Sequence, residues 1–168
     1  VARSRAGGGA AGPTTPATQS LDALGITYRR HTYTHDAAET GYGPEAAREL
    51  GVPADRIFKT LLVDTGDGLA VAVVPVAGQL DLKAMGSAIG AKAVRMAEPA
   101  AAARTTGYVI GGISPIGQRR ALRTVVDASA SALETLYVSG GRRGFQVELA
   151  PADLLTATRG SYARIRRT

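Results

Sequence analysis

IFKTLLVDTGDGLAVAVV, residues 57–74, sets two apolar runs on either side of a short glycine–aspartate segment. Ile57–Val63 and Leu69–Val74 have the length and the β-branched content of strands. Gly66, Asp67 and Gly68 between them are a hairpin signal. In the first run Lys59 shares a face with Ile57, Leu61 and Val63, and Phe58 and Leu62 take the other. Both faces are largely apolar, so this strand belongs in or near an interior.

The chain on both sides continues in short pieces. The composition predicts a disordered tail over residues 1–16, rich in Gly, Ala, Ser, Thr and Pro. A helix over Thr18–Leu24 and a strand over Ile26–Tyr33 follow it. A second helix is expected over Glu45–Leu50, entered through Gly43-Pro44 and stopped by Gly51. After the hairpin come a helix from Asp81, a plausible cap, to Ile89, and a strand over Ala93–Met96. A short helix over Pro99–Arg104 precedes the loop Gly111–Gly117. Strands are expected at Arg123–Val126, Leu136–Ser139 and Phe145–Leu149, with a closing helix at Pro151–Ala157. Short strands mixed with short helices, without a regular βαβ repeat, predict a compact α+β or mixed α/β domain over residues 17–168.

The 168 residues hold 20 Lys and Arg against 14 Asp and Glu, a formal charge of +6. That balance suits a polyanionic partner, and it equally serves solubility. Arginines gather at Arg119, Arg120 and Arg123, at Arg142 and Arg143, and near the end at Arg164, Arg166 and Arg167. Arginine's planar fork matches phosphate. There is no cysteine, hence no disulfide and no cysteine nucleophile. No apolar stretch has membrane-spanning length, and no secretory signal is legible. A cytoplasmic enzyme or binding module with no membrane partner is the default expectation.

Several chemistries have little support. A metal site wants three or four convergent ligands, and His31 and His35 lie in a strand and the loop after it rather than on one helix face, so neither a metal nor another cofactor is expected. No serine sits in a nucleophile elbow, and no dinucleotide or phosphate-loop signature occurs. Lys59 is the first positive signal. It is either a strand-end lysine reaching water or an ammonium in a cleft, facing phosphate or a polarised carbonyl. The Gly111–Gly117 loop is either a tight turn or a place where backbone N–H groups approach a ligand. Ser139-Gly140-Gly141-Arg142-Arg143-Gly144 reads as a basic hairpin turn or as a second permissive loop with a hydroxyl at its start.

The same segments resemble the YbaK/EbsC family, the free-standing relatives of the editing domain inserted in bacterial prolyl-tRNA synthetase. The matching stretches are HTYTHDAAET (31–40), FKTLLV (58–63), AVVPVAGQLDLKAMG (72–86), TGYVIGGISPIGQRR (106–120) and YVSGGRRGFQVELAPADL (137–154). The resemblance implies one editing domain with a mixed, partly barrel-like sheet and short flanking helices. It implies a trans-editing deacylase that clears cysteine from Cys-tRNA(Pro), with Cys-tRNA(Cys) as a second substrate. Its partners would be the charged tRNA and prolyl-tRNA synthetase, and the protein itself a monomer or weak dimer. Lys59, Tyr33 and Gly111 take the catalytic positions. Thr60, Gly112, Ser114, Pro115, Ser139 and Gln146 are the residues expected around the substrate, and the clustered Arg119, Arg120, Arg142 and Arg143 are those expected to face tRNA. Gln146 departs from the family, which usually has aspartate there.

With no protein nucleophile expected, the resemblance suggests that the substrate thiol attacks its own ester and leaves as a thiolactone. Attack by an ordered water, helped by Tyr33 or the 2′-hydroxyl, is the rival. Two other classes stay open: the same fold editing alanine or serine, and a tRNA- or synthetase-binding relative with weak catalysis.

Overall fold

The computed structural model describes residues 3–6 and 12–168. Two sheets carry the chain. One is antiparallel, in the order β1 (Arg3–Ala6), β2 (Arg29–Thr32), β8 (Phe145–Leu149), β7 (Leu136–Arg142). The other is mixed, in the order β5 (Arg95–Met96), β3 (Phe58–Asp64), β4 (Leu69–Pro75), β6 (Thr124–Asp127), β9 (Ser161–Ala163), with β4–β6 and β6–β9 parallel. They meet at one corner, where Ile57 bridges Tyr137 and the Tyr137 N–H donates to the Arg56 carbonyl at 3.0 Å. Among the described residues five short α-helices flank them: α1 (Pro16–Ala23), α2 (Tyr42–Leu50), α3 (Leu82–Ile89), α4 (Pro99–Thr106) and α5 (Pro151–Thr158). The architecture is the expected mixed α/β one.

The core follows from alternation along the strands. Phe58, Leu62, Val71 and Val73 of the mixed sheet meet Val138, Phe145 and Val147 of the antiparallel one, with Leu21 of α1 and Leu154 of α5 closing the layer. The other face of the mixed sheet, Val63, Ala72 and Val74, packs against Met85 of α3. A third cluster, Tyr33, Ala46, Ile57 and Tyr137, lies under α2.

Caps explain most element ends. Asp81 caps α3 through its carboxylate, which accepts from Ala84 N–H at 3.0 Å, as its position predicts. Gly51 and Gly90 end α2 and α3 in the left-handed conformation. The structure corrects the expected tail in two places. Arg3–Ala6 pair with β2, and Thr15 and Pro16 belong to α1. Thr15 forms a capping box with Thr18 and its hydroxyl reaches across to the Gly140 carbonyl, so it is buried. Residues 1–2 and 7–11 of the expected tail lie outside the described ones. α2 begins three residues earlier than expected, because Pro44 fits a first turn whose N–H groups have no intrahelical partner. β2 is shorter than Ile26–Tyr33, since Ile26 N–H turns back to the Leu21 carbonyl behind α1. β9 and a 3-10 turn over Ala128–Ala132 carried no legible pattern.

Candidate active site

β3 pairs with β4 along its whole length but with β5 only at Val63 and Asp64. The stretch around Lys59 and Thr60 is therefore left beside a cleft of about 320 Å³. β3 forms its floor. Tyr42, Gly43 and Ala46 of α2 form one wall, and Met96, Ala97, Pro99 and Ala102 before and within α4 form another. Ile110, Gly111 and Ile113 close one side, and Ser139 and Gln146 reach in from the antiparallel sheet. Apart from these polar groups, the lining is mostly hydrocarbon.

Lys59 is half-buried there and makes no ion pair with any described carboxylate. Burial pulls its pKa below the ordinary lysine range. Its cationic head is thus the group in the cleft best able to meet an incoming anion. Two more groups await a partner: Thr60 Oγ1 and Gln146 Oε1 are buried with no hydrogen bond among the described residues. Buried polar atoms in native folds are nearly always paired, and both residues line the same cleft as Lys59, where a ligand could supply the partner.

Gln146 is set opposite His31 on β2 and Ser139 on β7, so the three side chains share a sheet face. Ser139 Oγ accepts from Gly141 N–H at 3.1 Å, which fixes the turn that follows. Tyr33 stands behind Gln146 under α2 rather than on the cleft surface. Burial, and then the negative charge of Glu45, push its phenol pKa up, while the Gly144 backbone and the Gln146 amide work against both. A phenol held protonated is a hydrogen-bond donor, not a base.

The expected residues therefore divide. Lys59, Thr60, Gly111, Ser139 and Gln146 are brought together. Gly112, Ser114 and Pro115 are buried on the inner side of their loop and do not line the cleft. Ser114 instead accepts from Ile116 N–H through Oγ and from Gln118 Nε2 through its carbonyl. These three shape the loop from within. Arg119, Arg120, Arg142 and Arg143 are all exposed. The 107–120 loop and the β7–β8 turn are neighbours, because Gly112 lies against the backbone of Arg142 and Arg143. The four arginines thus belong to adjoining loops beside the cleft.

The sequence reading missed Tyr42. The clue was an aromatic ring between two glycines at the start of a helix. Gly111 has φ +85°, and a Cβ there would lie 2.6 Å from the Tyr42 ring, so glycine is required on both counts. The histidines separate onto different carboxylates, His31 Nε2 to Glu148 at 2.9 Å and His35 Nδ1 to Glu45 at 2.6 Å.

Residues 39–157 match the family model of the aminoacyl-tRNA editing domain. The chain is 42% identical over 120 residues to EbsC of Enterococcus faecalis, a protein assigned as a Cys-tRNA(Pro)/Cys-tRNA(Cys) deacylase. The match covers 71% of this chain and 73% of that one. The fold is also that of a crystallised hypothetical protein, at TM-score 0.81 and 29% identity over 91% of this chain and all of the other. A crystal structure assigned as a trans-editing enzyme for prolyl tRNA synthetase superposes at TM-score 0.78, with 23% identity, over 94% of this chain and all of that one. The extent of the family match and the identity to EbsC lead to one conclusion: the chain belongs to the YbaK/EbsC family of aminoacyl-tRNA editing deacylases.

Proposed function

We propose that the protein clears cysteine from Cys-tRNA(Pro) and also accepts Cys-tRNA(Cys). The observation that carries this reading is the lone Lys59 cation beside two unpartnered polar atoms, Thr60 Oγ1 and Gln146 Oε1, in an otherwise apolar cleft. The likeness to EbsC supports the choice of cysteine. In this reading Lys59 meets the terminal phosphate or the charge that develops on the ester oxygen. The Gly111 backbone and Ser139 hold the 3′ ribose and carbonyl. Arg119, Arg120 and Arg142 track the phosphates of the acceptor end.

The nucleophile is the substrate's own thiol. Its sulfur bonds to the ester carbonyl carbon, and the C–O bond to the ribose breaks. The thiol proton ends on the departing ribose oxygen, and cysteine leaves as a cyclic thiolactone that water then opens. The chain has no cysteine, and both histidines are held by carboxylates rather than by a serine. A thiol tethered next to its own carbonyl has the advantage of intramolecular attack. Arginines beside the cleft meet phosphates and carry no base information. Choice among tRNA bodies therefore falls to prolyl-tRNA synthetase.

The test compares Cys-, Ser- and Ala-charged tRNA(Pro) at matched subsaturating concentration, with rapid-quench trapping of the cysteine product. Cysteine should react fastest, through a transient thiolactone. Equal rates with no thiolactone would replace the thiol with an ordered water. Strong preference of the isolated protein for tRNA(Pro) over tRNA(Cys) would remove the synthetase from the scheme.

A further inference from the structure

Two adjacent arginines in the β7–β8 turn are used differently. Arg142 extends into solvent and its side chain has no hydrogen bond or ion pair among the described residues. Arg143 is also exposed, yet its Nε donates to the Ile110 carbonyl at 2.8 Å and its guanidinium carbon sits 5.1 Å from the centre of the Tyr42 ring. It therefore touches two walls of the cleft at once, Ile110–Gly111 on one side and the start of α2 on the other. A guanidinium can donate to the carbonyl through Nε while its carbon lies over the ring, two contacts made by different atoms of one rigid group, which suits arginine better than the single nitrogen of an ammonium.

Tyr42 is itself held. One side of its ring meets Gly111 so closely that no Cβ would fit. The His35 ring lies 5.7 Å away at a 39° tilt. His35 is fixed by Glu45, only 2% exposed, whose second oxygen accepts the Asp36 N–H at 2.9 Å. Glu45, His35, Tyr42, Gly111 and Arg143 thus form one continuous contact path from inside α2 to the surface.

We propose that Arg143 is a positioning residue that fastens the Ile110–Gly111 wall of the cleft to Tyr42, rather than a contact to tRNA phosphate. This rests on the editing reading for its catalytic consequence but not for the clasp itself. If the wall loosens, the Gly111 backbone no longer sits where the ester must be held. The chemical step then slows, while phosphate affinity changes little.

The experiment uses the full chain with Arg143→Ala, Arg143→Lys and Arg142→Ala. Amide hydrogen exchange is followed over residues 110–113, together with kcat, KM and the salt dependence of KM on Cys-tRNA(Pro). Arg143→Ala and Arg143→Lys should both speed exchange about tenfold. Both should lower kcat about tenfold, because a small misplacement at the reacting centre is costly, with the salt slope of KM unchanged. Arg142→Ala should leave exchange alone, raise KM and reduce the salt slope by about one. If Arg143→Lys keeps wild-type exchange and kcat, or Arg143→Ala moves only KM and its salt slope, the clasp is overturned in favour of a phosphate contact. Equal exchange acceleration by Arg142→Ala would also overturn it, since the turn as a whole would then be responsible. If the wild type releases no amino acid from any charged tRNA, the editing reading fails, and the exchange measurement still decides the clasp.

Discussion

Lys59 combines a cost to the fold with a use at the site. Burial pulls its pKa down, so the protonated form is less favoured in the folded chain than in the unfolded one. Stability is therefore lowered at pH below the folded pKa and recovers as pH rises through it. Lys59→Met should raise the unfolding temperature at neutral pH and remove that alkaline recovery. It should also slow single-turnover deacylation about 10²-fold. A folded Lys59→Met protein with full activity would make the lysine merely a half-buried strand residue. Gln146 obeys similar logic without charge. Its Oε1 is buried and unpaired while its amide also acts on the Tyr33 phenol, so the two effects of Gln146→Leu on stability oppose each other and the unfolding temperature should change little while deacylation falls about tenfold. A large drop in thermal stability would show that the amide is held inside the protein and is not waiting for substrate.

At the scale of elements, β8 carries the site and its support on one face. Gln146 looks into the cleft, and two residues on Glu148 joins His31, Thr135 and Arg56 at 2.9, 2.5 and 3.6 Å. Burial alone would raise the Glu148 pKa. Hydrogen bonds from Thr135 and His31, with the charge of His31, outweigh it and bring the carboxyl below its ordinary 4.5. A depressed carboxylate pKa gives stability that is present above the unfolded value and lost as pH falls through the folded one. Urea unfolding of Glu148→Gln should accordingly be less stable near neutrality and fall less steeply below about pH 4.5. An unchanged acid limb would remove Glu148 from the account. The loop on the other side depends on Gly111. Gly111→Ala should cost about 1–3 kcal/mol, since the new methyl meets both an unfavourable φ and the Tyr42 ring. Urea unfolding measures it, and a neutral result would mean that Tyr42 moves aside freely.

Across the whole molecule, the mixed sheet is closed by the chain's last segment. Asp127, 4% exposed, accepts from Ile165 and Arg166 N–H through Oδ1 at 3.0 and 3.1 Å, and from Ser129 N–H and Oγ through Oδ2 at 3.1 and 2.6 Å. Two of these donors pin the segment just after β9 to the end of β6, and the other two hold the Ala128–Ala132 turn. Asp127→Ala should lose about 2–4 kcal/mol, because those N–H groups are left unpaired. Hydrogen exchange should rise first at Ile165 and Arg166. Loss of stability without that local exposure would place the effect in the Ala128–Ala132 turn instead. Among the described residues no helix is long and apolar enough to cross a membrane.

The sequence by itself determined the parts whose cause is local. The hairpin at 57–74, the Asp81 cap, the glycine ends of α2 and α3, and the proline entries of α4 and α5 all follow from side chains within a turn of where they act. So does the polar alternation that puts Gln146 and Glu148 on one face. The motifs around Lys59, Gly111 and Ser139 also located the pieces of the site. What only the tertiary structure decided is how those pieces meet. β9 is three residues long and exists because β6 offers it a parallel edge. Ser114 and Pro115 lie in the glycine loop but turn inward, because the loop packs against α1 and the β7–β8 turn. Tyr42 and Arg143 are distant in sequence and have no local reason to touch. Burial and backbone pairing are sums over distant parts of the chain, so the cleft wall they form is a property of the fold and not of any one segment.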